Sequence, residues 1–341
     1  MLDLLQSALY LRLKQAPGLL ESLIDAAPAD QVIVIDEIQR IPMLLNEAHR
    51  LIEERHRRFL LTGSSARKLR REGTNLLAGR AIPAKMFPLT YAELATDFEL
   101  EKYLRFGGLP LVWTSQIAEE ILWAYCETYL KEEIQVEAVV RNLGAFTRFL
   151  KVAAAANGQI LNYSKIASDS GVPTSTVRQS FQVLDDTLLG FSLPAWQGSQ
   201  RKAVQTSKFF FFDIGVANTL AQIKVLDRQS DLYGRAMEHF ILCELRAYLS
   251  YRRIHKSLYF WRTKHGEEVD IVLDDELAIE VKASERVSNR DLRGLAKLAE
   301  EKKHQRFILV SQDPLTRRQG IYEMFYWKDF LDKLWADEIV G

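Results

Sequence analysis

The chain reads as an α/β protein, and three stretches predict it. QVIVIDEIQ (31–39) holds four consecutive β-branched residues, the composition of a strand buried on both faces of a parallel sheet. LYFWRTKHGEEVDIVLDDELAIEVKAS (258–284) reads as a three-stranded antiparallel meander, with turns at Lys264-His265-Gly266 and Asp274-Asp275-Glu276. GRAMEHFILCELRAY (234–248), just ahead of the meander, reads as a helix.

The 341 residues suffice for two or three domains, each with its own core. Lys+Arg and Asp+Glu number 45 each, so no global basic field announces nucleic acid; any such contact must come from local patches. Cys126 and Cys243 lie in apolar helical contexts and read as buried thiols of a reducing compartment, not as a disulfide or metal framework. The start, MLDLLQSALYLRLKQ, carries charges too early for a signal peptide, and no apolar run approaches the ~18 residues of a membrane span. The expected location is the cytoplasm, away from membranes.

In chain order, 8–13 reads as a short strand and 17–27 as a helix with apolar Leu19, Leu20, Leu23 and Ile24. The strand at 31–39 ends in Asp36 and Glu37, at the carboxyl end where parallel sheets bind ligands; the alternative is a buried strand with an acidic turn. An amphipathic helix (44–57) leads to a strand (58–62), then Gly63-Ser64-Ser65, a basic helix (66–77), Gly79-Arg80 and a strand (81–87). In FPLTYAEL (87–94), Thr90 and Glu93 form a capping box. FGGLP (106–110) is a turn between helices, and 116–141 is helical with a solvated charged run, Lys131-Glu132-Glu133. Helices at 143–156, 163–170 and 174–188 follow, with a Gly171-Val172-Pro173 turn. Strands at 189–196 and 207–214 then flank the basic loop GSQRK (198–202). Residues 215–233 look like a hinge. The chain closes with a locally basic helix (289–303), strands at 306–310 and 322–327, and a helix at 328–336.

The meander carries the chemistry. Asp270 lies inside its middle strand, while Glu280 and Lys282 share one face of the last. Hairpin pairing brings Asp270 beside them. Two neighbouring carboxylates repel, and a divalent cation relieves that repulsion; a hard oxygen site of this kind suits Mg2+. The lysine would orient a metal-bound water or stabilise charge on a phosphate. The alternatives are a surface hairpin with an ordinary Glu–Lys pair, or a metal-free module in which Asp270 and Lys282 form a structural ion pair.

The spacing D-x9-E-x-K resembles the restriction-endonuclease-like PD-(D/E)xK nucleases. That family also uses an acid from a preceding helix, and Glu238 matches it. The resemblance implies a catalytic set of Glu238, Asp270, Glu280 and Lys282, with metal on Asp270 and Glu280. VIVIDEIQ resembles the Walker B motif of P-loop ATPases, which implies Asp36 holding Mg2+ through water and Glu37 activating the attacking water. Ser64 matches the sensor-1 position of AAA-type ATPases. Arg80 matches their phosphate-stabilising arginine, with a surface salt bridge as its rival. The helices and strands over 143–214 resemble a winged helix-turn-helix. In a DNA reader of that kind Ser175, Thr176, Arg178 and Gln179 face the major groove, and Arg201 and Lys202 the backbone. The alternative is a packing or protein-binding module.

Together VIVIDEIQ, FLLTGSSA, LLAGR, FPLTYAEL and FGGLP resemble one bacterial and archaeal family that joins an AAA-type ATPase to a winged helix and a C-terminal nuclease-like domain of unresolved role. The implied fold is a truncated AAA-type P-loop sheet (1–88), a helical lid (89–142), a winged helix-turn-helix (143–214) and a restriction-endonuclease-like α/β domain (215–341). The departure is the phosphate loop G-x-x-x-x-G-K-[ST]: 31 residues precede Val32, and Gly18 has no Gly-Lys-Ser after it. The chain is then an N-terminally truncated relative or one whose ATPase half has decayed, and ATP is expected only if such a loop is supplied. AAA-type sheets resemble the order 5-1-4-3-2. Without strand 1, the strand at 81–87 moves against 58–62, or 58–62 becomes an exposed edge. The expected partner is DNA, with a homo-oligomer or protein partner also open, since Arg80 needs a neighbour's nucleotide. The expected function is an ATPase relative acting on or binding DNA. The alternative is a non-enzymatic scaffold of decayed ATPase and nuclease folds.

Overall fold

Three short strands, β1 (Leu2–Asp3), β2 (Val32–Asp36) and β3 (Arg58–Leu61), lie parallel in the order β1-β2-β3. The computed structural model describes residues 1–63, 81–129, 142–196 and 207–340. The chain divides into two compact units, Met1–Pro83 with Val183–Leu188, and Ala84–Gln182 with Leu189–Gly341.

In the first unit, 8–13 is not a strand. It lies within a helix, α1 (Ser7–Gln15), and β1 precedes it. Leu9, Tyr10 and Leu13 pack into the core while Leu11 is exposed, which fits helical spacing and not alternation. The helices α2 (Leu19–Asp25) and α3 (Leu44–Arg55) supply Leu20, Ile24, Leu44, Leu45 and Leu51 to the same core. β2 is buried on one face only: Ile33 and Ile35 point inward and Val32 is exposed. Among the described residues β3 is the sheet edge, with Leu60 54% exposed, as one of the two outcomes expected of this sheet. The strand expected at 81–87 does not form. Pro83 has no N–H to give a ladder, and 81–86 are exposed and irregular.

In the second unit the capping box forms: the Glu93 N–H donates to Thr90 Oγ1, and Glu93 accepts from the Thr90 N–H, opening α4 (Tyr91–Leu94). Next come α5 (Leu100–Phe106), α6 (Pro110–Trp113) and α7 (Ala118–Ala124). Three helices, α8 (Leu143–Ala155), α9 (Tyr163–Ser170) and α10 (Thr174–Asp186), are followed by the antiparallel pair β4 (Gly190–Pro194) and β5 (Ser207–Phe211). Gly171 ends α9 at φ +62°, and Phe181 packs between Phe149 and Phe209.

The first six residues of the expected hinge instead belong to a packed helix, α11 (Ile214–Leu220), with Ile214, Val216, Ala217 and Leu220 buried. Asp213 caps it, accepting the Val216 N–H at 3.0 Å and the Gly108 N–H at 2.8 Å. This explains the Gly-Gly turn: a Cβ on Gly107, at φ +73°, would stand 2.2 Å from Asp213 Oδ1.

The long helix α12 (Asp231–Tyr251) precedes a six-stranded sheet in the order β10-β11-β9-β8-β7-β6. β6 (Leu258–Arg262), β7 (Glu268–Leu273) and β8 (Leu277–Val281) form the antiparallel meander. After α13 (Arg293–Ala299), β9 (Arg306–Ser311) runs parallel to β8, and β11 (Tyr322–Tyr326) parallel to β9. β10 (Arg317–Gln319) and α14 (Trp327–Trp335) complete the sheet edge and the chain. Strand alternation makes three layers: Ile271, Leu273 and Ile279 share a core with α12, while Val272 and Ala278 share one with α13. No helix among the described residues is long and apolar enough to cross a membrane.

Candidate functional site

The β7–β8 register pairs Ile271 with Ile279, so one step further along Asp270 comes opposite Glu280. Asp270 Oδ2 accepts the Val281 N–H at 2.8 Å, and the Lys282 ammonium donates to Glu280 Oε1. Glu238 reaches the same centre from α12 and is buried, as are Asp270 and Glu280. The four residues singled out on the meander and its preceding helix therefore gather in one place.

Three further residues, Lys208, Glu268 and Arg262, join them that sequence reasoning missed. Lys208, on β5 and only 3% exposed, places Nζ 2.7 Å from Glu238 Oε1 and 2.5 Å from Glu268 Oε1. Arg262 holds the other oxygen of Glu268 at 3.0 Å. The available signal was a charged residue heading a strand of phenylalanines, which demands a buried partner. Burial works against the charge on Lys208, but Glu238, Asp270 and Glu268 outweigh it and raise its pKa. Burial pushes Glu238 upward while Lys208 pulls it back. Glu280 rises well above the usual carboxylate range, through burial first and the charge of Asp270 second. Its Oε2 is buried and has no hydrogen-bond partner among the described residues.

The carboxylates have the right chemistry for Mg2+, and Glu280 Oε2 is a free donor. The Lys208 ammonium, however, already supplies positive charge between Glu238 and Glu268. Among the described residues no three acids, histidines or cysteines converge so as to hold a metal. As the side chains stand, Mg2+ does not fit with Lys208 in place.

The strand end in the first unit differs. The Thr62 hydroxyl donates to Asp36 Oδ1, and the Glu37 N–H approaches Thr62 Oγ1 at 3.4 Å. Glu37 takes a left-handed backbone, φ 61°, and accepts from Gln39 Nε2 at 2.6 Å. Thr62 is thus the hydroxyl beside the acid; Ser64 and Arg80 lie outside the described residues. The sequence contains no Gly-Lys pair, so no phosphate loop of the G-K-[ST] kind is present in it.

On α10, Ser175, Thr176, Arg178 and Gln179 are exposed, and Arg178 stacks over the Tyr163 ring at 4.2 Å. Arg201, Lys202 and the 131–133 charge run lie outside the described residues. Within the basic stretch near α13, Arg306 is forked onto Glu323 and Lys297 is paired with Glu300, so these two are engaged.

Comparison with known proteins gives three family matches. Residues 2–95 match an AAA domain, 97–227 a domain of unknown function (DUF8612) and 233–329 another (DUF4143). Uncharacterized proteins of Mycobacterium bovis and Mycobacterium tuberculosis are each 29% identical over 71% of this chain and 56% of their own length. An uncharacterized protein of Haemophilus influenzae is 23% identical over 69% of this chain and 63% of its own. The chain thus spans little more than half the length of the curated relatives it matches. No solved structure matches. Residues 2–95 thus resemble an AAA domain, and the two stretches after them match domains of unknown function.

Proposed function

We propose that this chain is an AAA-type ATPase relative whose second unit binds DNA through a winged helix-turn-helix and a restriction-endonuclease-like domain that does not cleave. The order helix, antiparallel meander, helix, parallel strand supports the nuclease-like reading, and α8–α10 with β4–β5 supports the winged helix. The observation that carries the binding reading is the Lys208 ammonium seated between Glu238 and Glu268, where a cleaving enzyme needs a metal. The exposed N-terminal turns of α10 offer hydroxyl, guanidinium and amide groups suited to base edges and phosphates. Asp36 and Glu37 would serve Mg2+ and water activation only where a phosphate cradle is supplied, so nucleotide titration of this chain should be flat.

The test is fluorescence anisotropy with duplex DNA at low salt. Arg178→Ala with Gln179→Ala should weaken binding about tenfold, the scale of one good base contact. No DNA binding by the parent chain would overturn the reading in favour of a protein-binding scaffold. A second reading, Mg2+-dependent phosphodiester cleavage, is favoured by the partnerless Glu280 Oε2 beside Lys282. DNA nicking that needs Mg2+ and is lost in Asp270→Asn and Lys282→Ala would replace the first reading with the second.

A further inference from the structure

We propose that Lys208 is an internal counter-cation standing in for a divalent metal, and that its removal turns this cluster into a site for a hard divalent ion. The inference rests on the nuclease-like reading of the acids alone; DNA binding by α10 can fail without touching it. Four carboxylates, Glu238, Glu268, Asp270 and Glu280, meet three cations, Lys208, Arg262 and Lys282. Lys208 alone comes from outside the helix and meander that hold the acids. It is carried in by β5, which pairs with β4 through Leu193 and Lys208. It is also the most deeply buried of the three, lying over the Phe260 ring.

A compact ammonium within 2.5–2.7 Å of two carboxylate oxygens answers the charge demand that a divalent ion would otherwise answer. It does so incompletely. Glu280 is 6% exposed, yet its Oε2 finds no donor among the described residues. That orphaned acceptor, beside Asp270, is the second coordinate a metal would use. With Lys208 shortened to an apolar side chain, Glu268 keeps Arg262. The facing pair Asp270 and Glu280 then keeps Lys282, and a hard cation that takes one or two carboxylates and fills its other positions with water satisfies that pair.

The probe is Mn2+ alone, followed by its electron paramagnetic resonance signal and by thermal melting of the full chain. The parent chain should hold no stoichiometric Mn2+. Lys208→Met should take up one ion, at least about tenfold more tightly than the parent, the scale of one like charge removed at a few Å. Adding Asp270→Asn should abolish that uptake. If Lys208→Met is unfolded in chelator, its refolding on added Mn2+ supports the proposal, and its staying unfolded at saturating Mn2+ overturns it. A folded Lys208→Met chain without Mn2+ uptake, or a parent chain that binds one ion with Lys208 intact, also overturns it.

Discussion

Two groups of acids in this protein stand on sheets, one where β2 ends and one within β7 and β8, and they differ in what answers the negative charge. At the end of β2, Asp36 meets a hydroxyl and Glu37 a primary amide, both neutral dipoles in a half-buried setting. On the meander, Asp270 and Glu280 are buried, and their cluster is answered by ammonium and guanidinium groups. A neutral partner fixes the geometry of a carboxylate and leaves its charge available to an incoming cation. A cationic partner compensates it, and an incoming ion must displace that partner first. Acids borne on strands are therefore met by neutral dipoles in one unit and by the protein's own cations in the other.

The seal on the second cluster can be broken from behind. Gly294 of α13 lies against β7 so closely that a Cβ there would stand 1.9 Å from the Glu268 carbonyl oxygen and 3.3 Å from Glu280 Oε2. Backbone cannot yield as a flexible side chain can. Gly294→Ala should lift α13 from the meander and lower stability by roughly 2–4 kcal/mol in urea unfolding. An unchanged midpoint would show that the cluster is not packed shut.

Acidity sharpens the comparison, because among the described residues the perturbed buried carboxyls lie in the second unit. Burial raises Glu244 to about 7, although the Tyr91 N–H and Trp335 Nε1–H each donate to it at 2.8 Å. Burial likewise raises Asp213 to about 6, and Glu238 and Glu280 move the same way. Groups whose folded pKa lies above the unfolded value hold protons that the unfolded chain has already released. Their stabilisation is full below the ordinary carboxylate range and is lost as pH rises through about 6 to 7. His239 opposes them. Burial lowers it to about 4, so its contribution is lost as pH falls from its ordinary 6.5 toward that value. Four carboxyls outweigh this histidine near neutrality, so the melting temperature should rise by roughly a few degrees from pH 7.5 to 6. Glu244→Gln should flatten that slope, and a slope of opposite sign would contradict the burial argument.

How legible each site was in the sequence follows from how far apart its parts lie. Asp270, Glu280 and Lys282 fall within a single hairpin, so strand alternation and turn residues suffice to bring them together. Glu238 needed a family resemblance to be noticed. Lys208 could be noticed as a charge heading a run of phenylalanines, but its partners could not, because Glu238 and Glu268 sit on elements that only tertiary packing brings to β5. In the first unit β1 is two residues long and has no periodicity to read. ALYLRL satisfies alternation and helical spacing equally, and the buried Leu13 with exposed Leu11 decides for the helix. Ser64 was singled out for its hydroxyl and lies outside the described residues, whereas the Thr62 hydroxyl, two residues earlier, was passed over and donates to Asp36. The strand end could be read, but not which side chain turned inward.

Thr62 gives the finest test of the contrast. Thr62→Val keeps the shape and removes the hydroxyl that orients Asp36. Water reaches this half-buried strand end and replaces the lost donor, so the cost should be only about 1 kcal/mol, with Thr62→Ser nearer to none. Urea unfolding of the two variants measures the difference. A loss for Thr62→Val as large as that for Gly294→Ala would mean that Asp36 is held as tightly as the meander acids. The distinction between an open and a sealed acidic strand end would then collapse.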